Sequence, residues 1–456
     1  MKPFKTFFVS VAVFLFTVVL SAQTSGEFND RRKKVIENME PNSVMIIKSG
    51  ESSGIFNYPR LGGYFYYLTG INEPGTFLVL RSKSTKPSVP SRFGRRSMSP
   101  GPEILFIKPA DPSRANWDAL TLGIEGAKKK GGFANVRPSG EFDEYFGKIL
   151  LSDPVILYMN YEKSENINDP LTPDEQLFKK ARNKGASFEI KSPSIILNPM
   201  LAIKSPAEIE ILKKAINITA EAHKEAMRSI QPGMYEYQLQ AIIRFVYRMN
   251  GAPGIGFPCI IGSGINSVVL HWMENSRKME EGDIVVVDIG AEYSMYWADI
   301  TRTIPVNGKY SKRQKEIYEI VLKANEEAIK MVAPGIDFAD ISKKADEILA
   351  DGMQRIGLIK EKSEFKKYYY HGLGHHIGII NARGDRLGKL EPGMVITIEP
   401  GIYIREEKLG VRIEDDVLVT ETGYDVLTKN IPKKIEEIEK LMSEKGMDYK
   451  KNLIVF

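Results

Sequence analysis

The chain has 456 residues, 43% of them hydrophobic, which is enough for large cores and for two or three domains. Its 63 basic and 58 acidic side chains leave a net charge of +5, a balance too even to argue for a nucleic-acid partner. A single cysteine, Cys259, excludes an internal disulfide, so stability must come from buried apolar surface.

Residues 1–22 read as a secretion signal. Lys2 and Lys5 form a basic start, Phe7 to Leu20 is apolar apart from Ser10 and Thr17, and Ser21-Ala22-Gln23 offers a small-residue cleavage zone. The chain is therefore expected to be exported, periplasmic or secreted, with no stable membrane insertion once the leader is removed. The apolar run approaches the roughly 18–20 residues that span a bilayer, so an uncleaved anchor is the alternative. Cleavage would carry away Lys2 and Lys5, two of the five excess positive charges.

Beyond the leader, Asp30 to Met39 has a charged helical pattern, and Ser43 to Lys48 reads as a strand. Tyr64 to Leu68 and Thr76 to Leu80 read as further strands, separated by the turn-forming Asn72-Glu-Pro-Gly75. Residues 82–102 carry Lys83, Lys86, Arg92, Arg95 and Arg96 among serines and prolines, and read as a mobile basic loop, with a binding patch as the alternative. Ile104 to Lys108 and Pro154 to Met159 resume the strand pattern, so residues 28–190 are expected to form an α/β domain. Residues 191–206 hold three prolines and read as the interdomain connection. A long helix is expected from Pro206 to about Ile230, with Ser205 as N-cap. From there to residue 440 long helices mix with paired strands, an α+β arrangement. Cys259, among Pro258, Ile260 and Ile261, reads as a buried structural thiol.

Chemistry concentrates in two acidic strand pairs. Ile284-Val-Val-Val-Asp288 and the strand from Tyr296 to Ile304 suggest a hairpin centred on Tyr293-Ser294, which would set Asp288 opposite Asp299. Two carboxylates so placed, with Cβ atoms roughly 4.5–5.5 Å apart, repel unless a cation lies between them. The second pair runs through Val395 to Glu399 and Val411 to Val419. Alternation puts Thr397 and Glu399 on one face, and Arg412 shares a face with Glu414, so an Arg412–Glu414 ion pair is the alternative to a ligand role for Glu414. Three of the five histidines crowd into His371-Gly-Leu-Gly-His375-His376. His271, after an apolar run, is a candidate proton donor or acceptor.

These residues fall in a recognisable order. Val285-Val-Val-Asp-Ile-Gly-Ala-Glu-Tyr293 with Ala298-Asp-Ile-Thr-Arg302, His371-Gly-Leu-Gly-His375, Glu391-Pro-Gly to Glu399-Pro-Gly401, and Val411-Arg-Ile-Glu-Asp-Asp416 closely resemble the motifs of the pita-bread metallopeptidases. Lys204-Ser-Pro-Ala-Glu-Ile209 resembles the opening of that catalytic domain, placed here at 207–440. Residues 30–80, including Tyr67-Leu-Thr-Gly-Ile-Asn-Glu-Pro74, resemble the N-terminal domain of aminopeptidase P. The resemblance implies a creatinase/aminopeptidase P-type N-terminal domain and a pita-bread catalytic domain.

It further implies an Xaa-Pro aminopeptidase that takes peptides with proline second. Asp288 would bind one of two divalent cations, Asp299 and Glu414 would bridge both, and His375 and Glu399 would complete the ligand set of the second cation. A water or hydroxide between the ions would be the nucleophile. Glu399 would double as general base, His271 and His371 would assist catalysis, and His271, Arg412 and Tyr403 would face the substrate. The oxygen-rich set favours Mn²⁺, with Zn²⁺, Co²⁺ or Fe²⁺ also able to bind. A homodimer is implied by analogy. One departure stands out: where the family has a second histidine, seven positions after His375, this chain has Ala382. Prolidase-type dipeptide cleavage is one alternative. A catalytically weakened binding protein is the other.

Overall fold

The computed structural model describes residues 23–447 except 51–61, 84–100, 115–120, 153–154, 162, 165, 167 and 380–386. The leader, most of the basic loop and Ala382 therefore lie outside the described residues. Among those described, no helix is long and apolar enough to cross a membrane.

The N-terminal part is a six-stranded mixed sheet, β1 (Ser43–Lys48), β2 (Phe77–Arg81), β3 (Glu103–Ile107), β4 (Val136–Pro138), β5 (Val155–Tyr158) and β6 (Phe188–Lys191), in the order β4-β3-β2-β1-β5-β6. β2 is antiparallel to both β1 and β3, and the outer pairings are parallel. Helices α1 (Ser25–Asn38), α2 (Gly63–Thr69), α3 (Gly123–Gly131), α4 (Phe142–Leu150) and α5 (Pro173–Asn183) complete this α/β unit. Tyr64 to Leu68, expected as a strand, is instead the body of α2. A short apolar run carries no decisive period. The deciding residue is Gly70, whose left-handed φ of +66° lets its N–H close the helix on Tyr66 O at 2.7 Å.

The expected connection is not a bare linker. It holds α6 (Ser194–Ala202), which buries Leu197 and Met200 in the main core. Next, α7 (Pro206–Ser229) begins where Ser205 and Glu208 form a reciprocal capping box behind Pro206. The second part repeats one order, two helices followed by strands. α7 and α8 (Glu236–Met249) precede β7 (Gly254–Ile255), β8 (Ile260–Ser263), β9 (Ile284–Ile289), β10 (Ala291–Tyr293), β11 (Tyr296–Trp297) and β12 (Ile300–Pro305). α9 (Lys312–Lys330) and α10 (Phe338–Arg355) precede β13 (Val395–Ile398), β14 (Gly401–Ile404), β15 (Leu409–Arg412), β16 (Asp415–Val419) and β17 (Tyr424–Val426), and α11 (Ile435–Met442) follows.

One large apolar cluster runs from Val35 and Leu68 in the first part to Val411 and Ile438 in the second, so the two parts share a core. Polar ties cross the same seam. Arg31 on α1 meets Glu208 on α7 at 3.0 Å, Ser205 Oγ donates to Glu27 at 2.6 Å, and Tyr64 Oη donates to Asn198 at 2.5 Å. Cys259 is fully buried, and burial pushes its thiol up to about 12, as suits a structural residue.

Candidate metal centre

The β-branched run Ile284-Val-Val-Val forms β9 because both its faces are covered, and Asp288 sits near its end. β9 pairs antiparallel with β12, and the hairpin continues as β10 and β11. Its turn is Ser294-Met295, both in the left-handed region, one residue later than the expected tip. Partners move by two for each step of the turn, so Asp288 lies opposite Thr301 and not opposite Asp299. Asp299 falls in the gap between β11 and β12, where its N–H reaches Asp416 Oδ2 at 3.4 Å. Gly290 permits this close crossing: a Cβ there would lie 1.8 Å from Ala298 O.

β13 pairs with β16, setting Glu399 just past the end of one strand and Glu414 just before the start of the other. The histidine segment lies along β13. Glu399 N donates to Leu373 O at 2.8 Å, Thr397 N to His375 O at 2.9 Å, and His375 N to Thr397 Oγ1 at 3.0 Å. This approach needs Gly374, where a Cβ would lie 1.9 Å from Thr397 O. The two strand pairs meet through Glu414 N to Thr301 O at 3.1 Å and Thr301 Oγ1 to Glu414 Oε2 at 2.7 Å.

All five expected ligands, Asp288, Asp299, His375, Glu399 and Glu414, line one cavity of about 310 Å³ together with His271, His371 and Arg412. Ligand atoms of Asp299, His375 and Glu414 lie within 4.8 Å of one another. His375 Nδ1 is 2.9 Å from the His376 carbonyl, so that nitrogen carries the proton. Its Nε2 lone pair then faces Asp299 Oδ2 at 3.5 Å and Glu399 Oε1 at 3.6 Å. Burial, followed by the charges of Asp299, Glu399 and Asp288, drives the Glu414 carboxyl well above the usual carboxylate range. Asp288 Oδ1 is buried without a hydrogen-bond partner. Converging lone pairs, an orphaned carboxylate oxygen and a destabilised carboxylate are what a cation would relieve. The donor set fits divalent metal ions.

Arg412 does not pair with Glu414. Its Nη2 donates to Asp288 Oδ2 at 2.7 Å, its Nε to Thr301 Oγ1 at 3.2 Å, and its Nη1 to Tyr403 Oη at 3.1 Å. Tyr403 is buried, and burial raises its phenol to about 12. Tyr403 Oη lies 2.8 Å from His371 Nε2, while His371 Nδ1 is 2.8 Å from the Gly372 carbonyl. Burial, with Arg412 nearby, lowers His371 to about 4, so it is neutral at pH 7 and accepts from Tyr403. Tyr403 thus reaches the cavity through His371 and Arg412, behind its lining.

His271 is exposed at the rim, on the segment after the short helix Gly264–Val268. Glu236, unremarked in the sequence, organises that segment. Fully buried on α8, it accepts from Ser263 N (2.8 Å), Ser263 Oγ (2.6 Å), Asn266 Nδ2 (3.2 Å), Trp272 Nε1 (2.8 Å) and Arg277 N (2.9 Å). An acid in a first helical turn ordinarily reads as a dipole partner, which hid this role. Thr301 and Asp416 likewise give no sign of their contacts in the sequence.

Known proteins resemble this chain in sequence and in fold. A family model described as metallopeptidase family M24 matches residues 210–421, and one described as the aminopeptidase P N-terminal domain matches residues 28–158. The chain is 35% identical to the Xaa-Pro aminopeptidase of Haemophilus influenzae, over 91% of this chain and 97% of that protein. It is 34% identical to the Xaa-Pro aminopeptidase of Escherichia coli, over 93% and 99%. The solved structure of aminopeptidase P from E. coli with the inhibitor Pro-Leu is similar with a TM-score of 0.79 at 32% identity, covering 92% of this chain and 99% of that one.

Proposed function

Because the chain belongs to metallopeptidase family M24 and carries the N-terminal domain of aminopeptidase P, we propose that it releases the first residue from peptides with proline second. The convergence of Asp299, His375 and Glu414, with Asp288 and Glu399 beside them, is the observation that carries this reading. Asp299 and Glu414 would bridge two divalent ions, with Asp288 on one and His375 and Glu399 on the other; Mn²⁺ is the favoured ion on donor hardness. Bound there, the ions supply an acidified water for attack at neutral pH and polarise the scissile carbonyl.

The side chains divide the remaining work. Arg412 holds Asp288 by Oδ2 and leaves Oδ1 without a hydrogen-bond partner, and Thr301 fixes Glu414 by Oε2. Glu399, within 3.6 Å of His375 and at the cavity wall, takes the proton of the attacking water and returns it to the leaving proline nitrogen. His271 at the rim meets the peptide. The Arg412–Tyr403–His371 chain holds the wall behind it. The leader reading adds export, with cleavage before Gln23.

The test uses metal-reconstituted mature chain with Xaa-Pro-Xaa tripeptides, Xaa-Pro dipeptides and a non-proline control. Cleavage of the tripeptides alone or best is expected. Cleavage confined to dipeptides would make it a prolidase, and no turnover at two bound metals would refute the enzyme reading. Ala382 favours a weakened enzyme, since a missing transition-state hydrogen bond costs about 3–4 kcal/mol; Ala382→His is expected to raise kcat in the same assay.

A further inference from the structure

Gln23 stands at the expected cleavage point, and its side chain is already docked against the catalytic half. The amide lies 2.7 Å from Tyr296 Oη, which belongs to the hairpin leading to Asp299. Its orientation is set by Arg31: with the carbonyl oxygen inward, Oε1 accepts from Arg31 Nη2 at 3.0 Å and Nη1 at 3.3 Å, whereas the reverse would oppose an NH₂ to those donors. Tyr296 Oη also lies 2.9 Å from Glu208 Oε1, so its hydroxyl hydrogen turns between that carboxylate and the Gln23 oxygen. A cavity of about 360 Å³ adjoins this amide, walled by Phe28, Tyr66 and Tyr293.

The Arg31 guanidinium and the Tyr296 hydroxyl, which are shared with Glu27, Glu208 and Tyr67 O, both reach this one amide oxygen, and donors so placed can stabilise an oxyanion. We propose that Gln23, once it is the first residue, cyclises to pyroglutamate in the folded protein, with Tyr296 and Arg31 as the donors for the developing charge. The inference rests on leader cleavage before Gln23. An α-amine titrates at about 8, so a share of it is unprotonated and nucleophilic at neutral pH. Its nitrogen attacks Cδ of its own side chain, the bond from Cδ to Nε2 breaks, a proton passes from the attacking nitrogen to the departing one, and ammonia leaves. No oxidant or co-reactant is consumed. The lactam keeps the carbonyl oxygen, the only part of the amide that Tyr296 and Arg31 require, and the adjoining cavity has room for the ring. The product chain end has neither a charge nor a free amine.

Two measurements test this. The N-terminal peptide of the exported chain, read by mass spectrometry, should begin at Gln23 and lack the mass of one ammonia. A different first residue overturns both the leader reading and the proposal, whereas Gln23 with its amide intact overturns the proposal alone. Separately, a fusion cut to leave Gln23 first is followed for loss of ammonia, folded and in urea. The folded chain should cyclise about tenfold faster or more, and Tyr296→Phe should remove much of that advantage. Equal rates folded and unfolded overturn the proposal whether or not the variant folds.

Discussion

Asp299 interrupts a ladder that resumes at Ile300, and the interruption frees its carboxylate to meet His375 from a distant part of the chain at 3.5 Å. Asp299→Ala is expected to remove both metals and reduce turnover to background while the strands on either side persist; metal content by mass spectrometry checks it, and an unchanged content would show that Asp299 does not bridge. The five residues that line the cavity were legible in the sequence as residue types in motif order. Their geometry was only partly so. The expected Asp288–Asp299 opposition failed because the turn is centred one residue later, a choice made by the left-handed Ser294 and Met295 that no glycine announces. The Arg412–Glu414 pair failed for a related reason: alternation gives the face a residue shares, and Thr301 with Asp288 on neighbouring strands decided the partner.

At the level of elements, loops are placed by buried acceptors. Glu236 gathers the segment 263–277 and so sets where Leu270 and His271 meet the cavity. Glu236→Ala leaves several buried donors unpaired, each costing about 1–3 kcal/mol, so the urea midpoint should fall. If the segment presents His271 to the peptide, kcat/KM should also drop about tenfold in the folded fraction, equivalent to about 1.4 kcal/mol of transition-state binding. Glu236→Gln, which keeps one acceptor oxygen, should recover part of both; a stability loss with unchanged kcat/KM would show that the loop position is immaterial. Strands β1, β2, β3 and β5 and helix α7 could be foreseen from apolar runs and caps. Helix α2 could not, since its five-residue apolar body is neutral between states and only its Gly70 cap decides.

Across the whole molecule, the two parts are joined by a shared apolar core and by a buried ion pair that each half completes for the other. Arg31 and Glu208 are 7% and 2% exposed, and Arg31 also donates to Tyr67 O at 2.9 Å and lies over the Tyr67 ring. Arg31→Ala would strand the Glu208 carboxylate in the seam, and a loss of about 3–5 kcal/mol is expected by denaturant unfolding. A loss below about 1 kcal/mol would mean that water reaches Glu208. The seam was not readable from pattern. It depends on Arg31, Glu208, Ser205 and Asn198, which separately look like ordinary cap and surface residues.

The proposed ligands come from both strand pairs, Asp288 and Asp299 from the first and His375, Glu399 and Glu414 from the second, and Thr301 clasps Glu414 across the join. Neither half carries the whole proposed set. On the proposed ligand set the complete site exists only once both halves have closed, so full metal occupancy would follow folding.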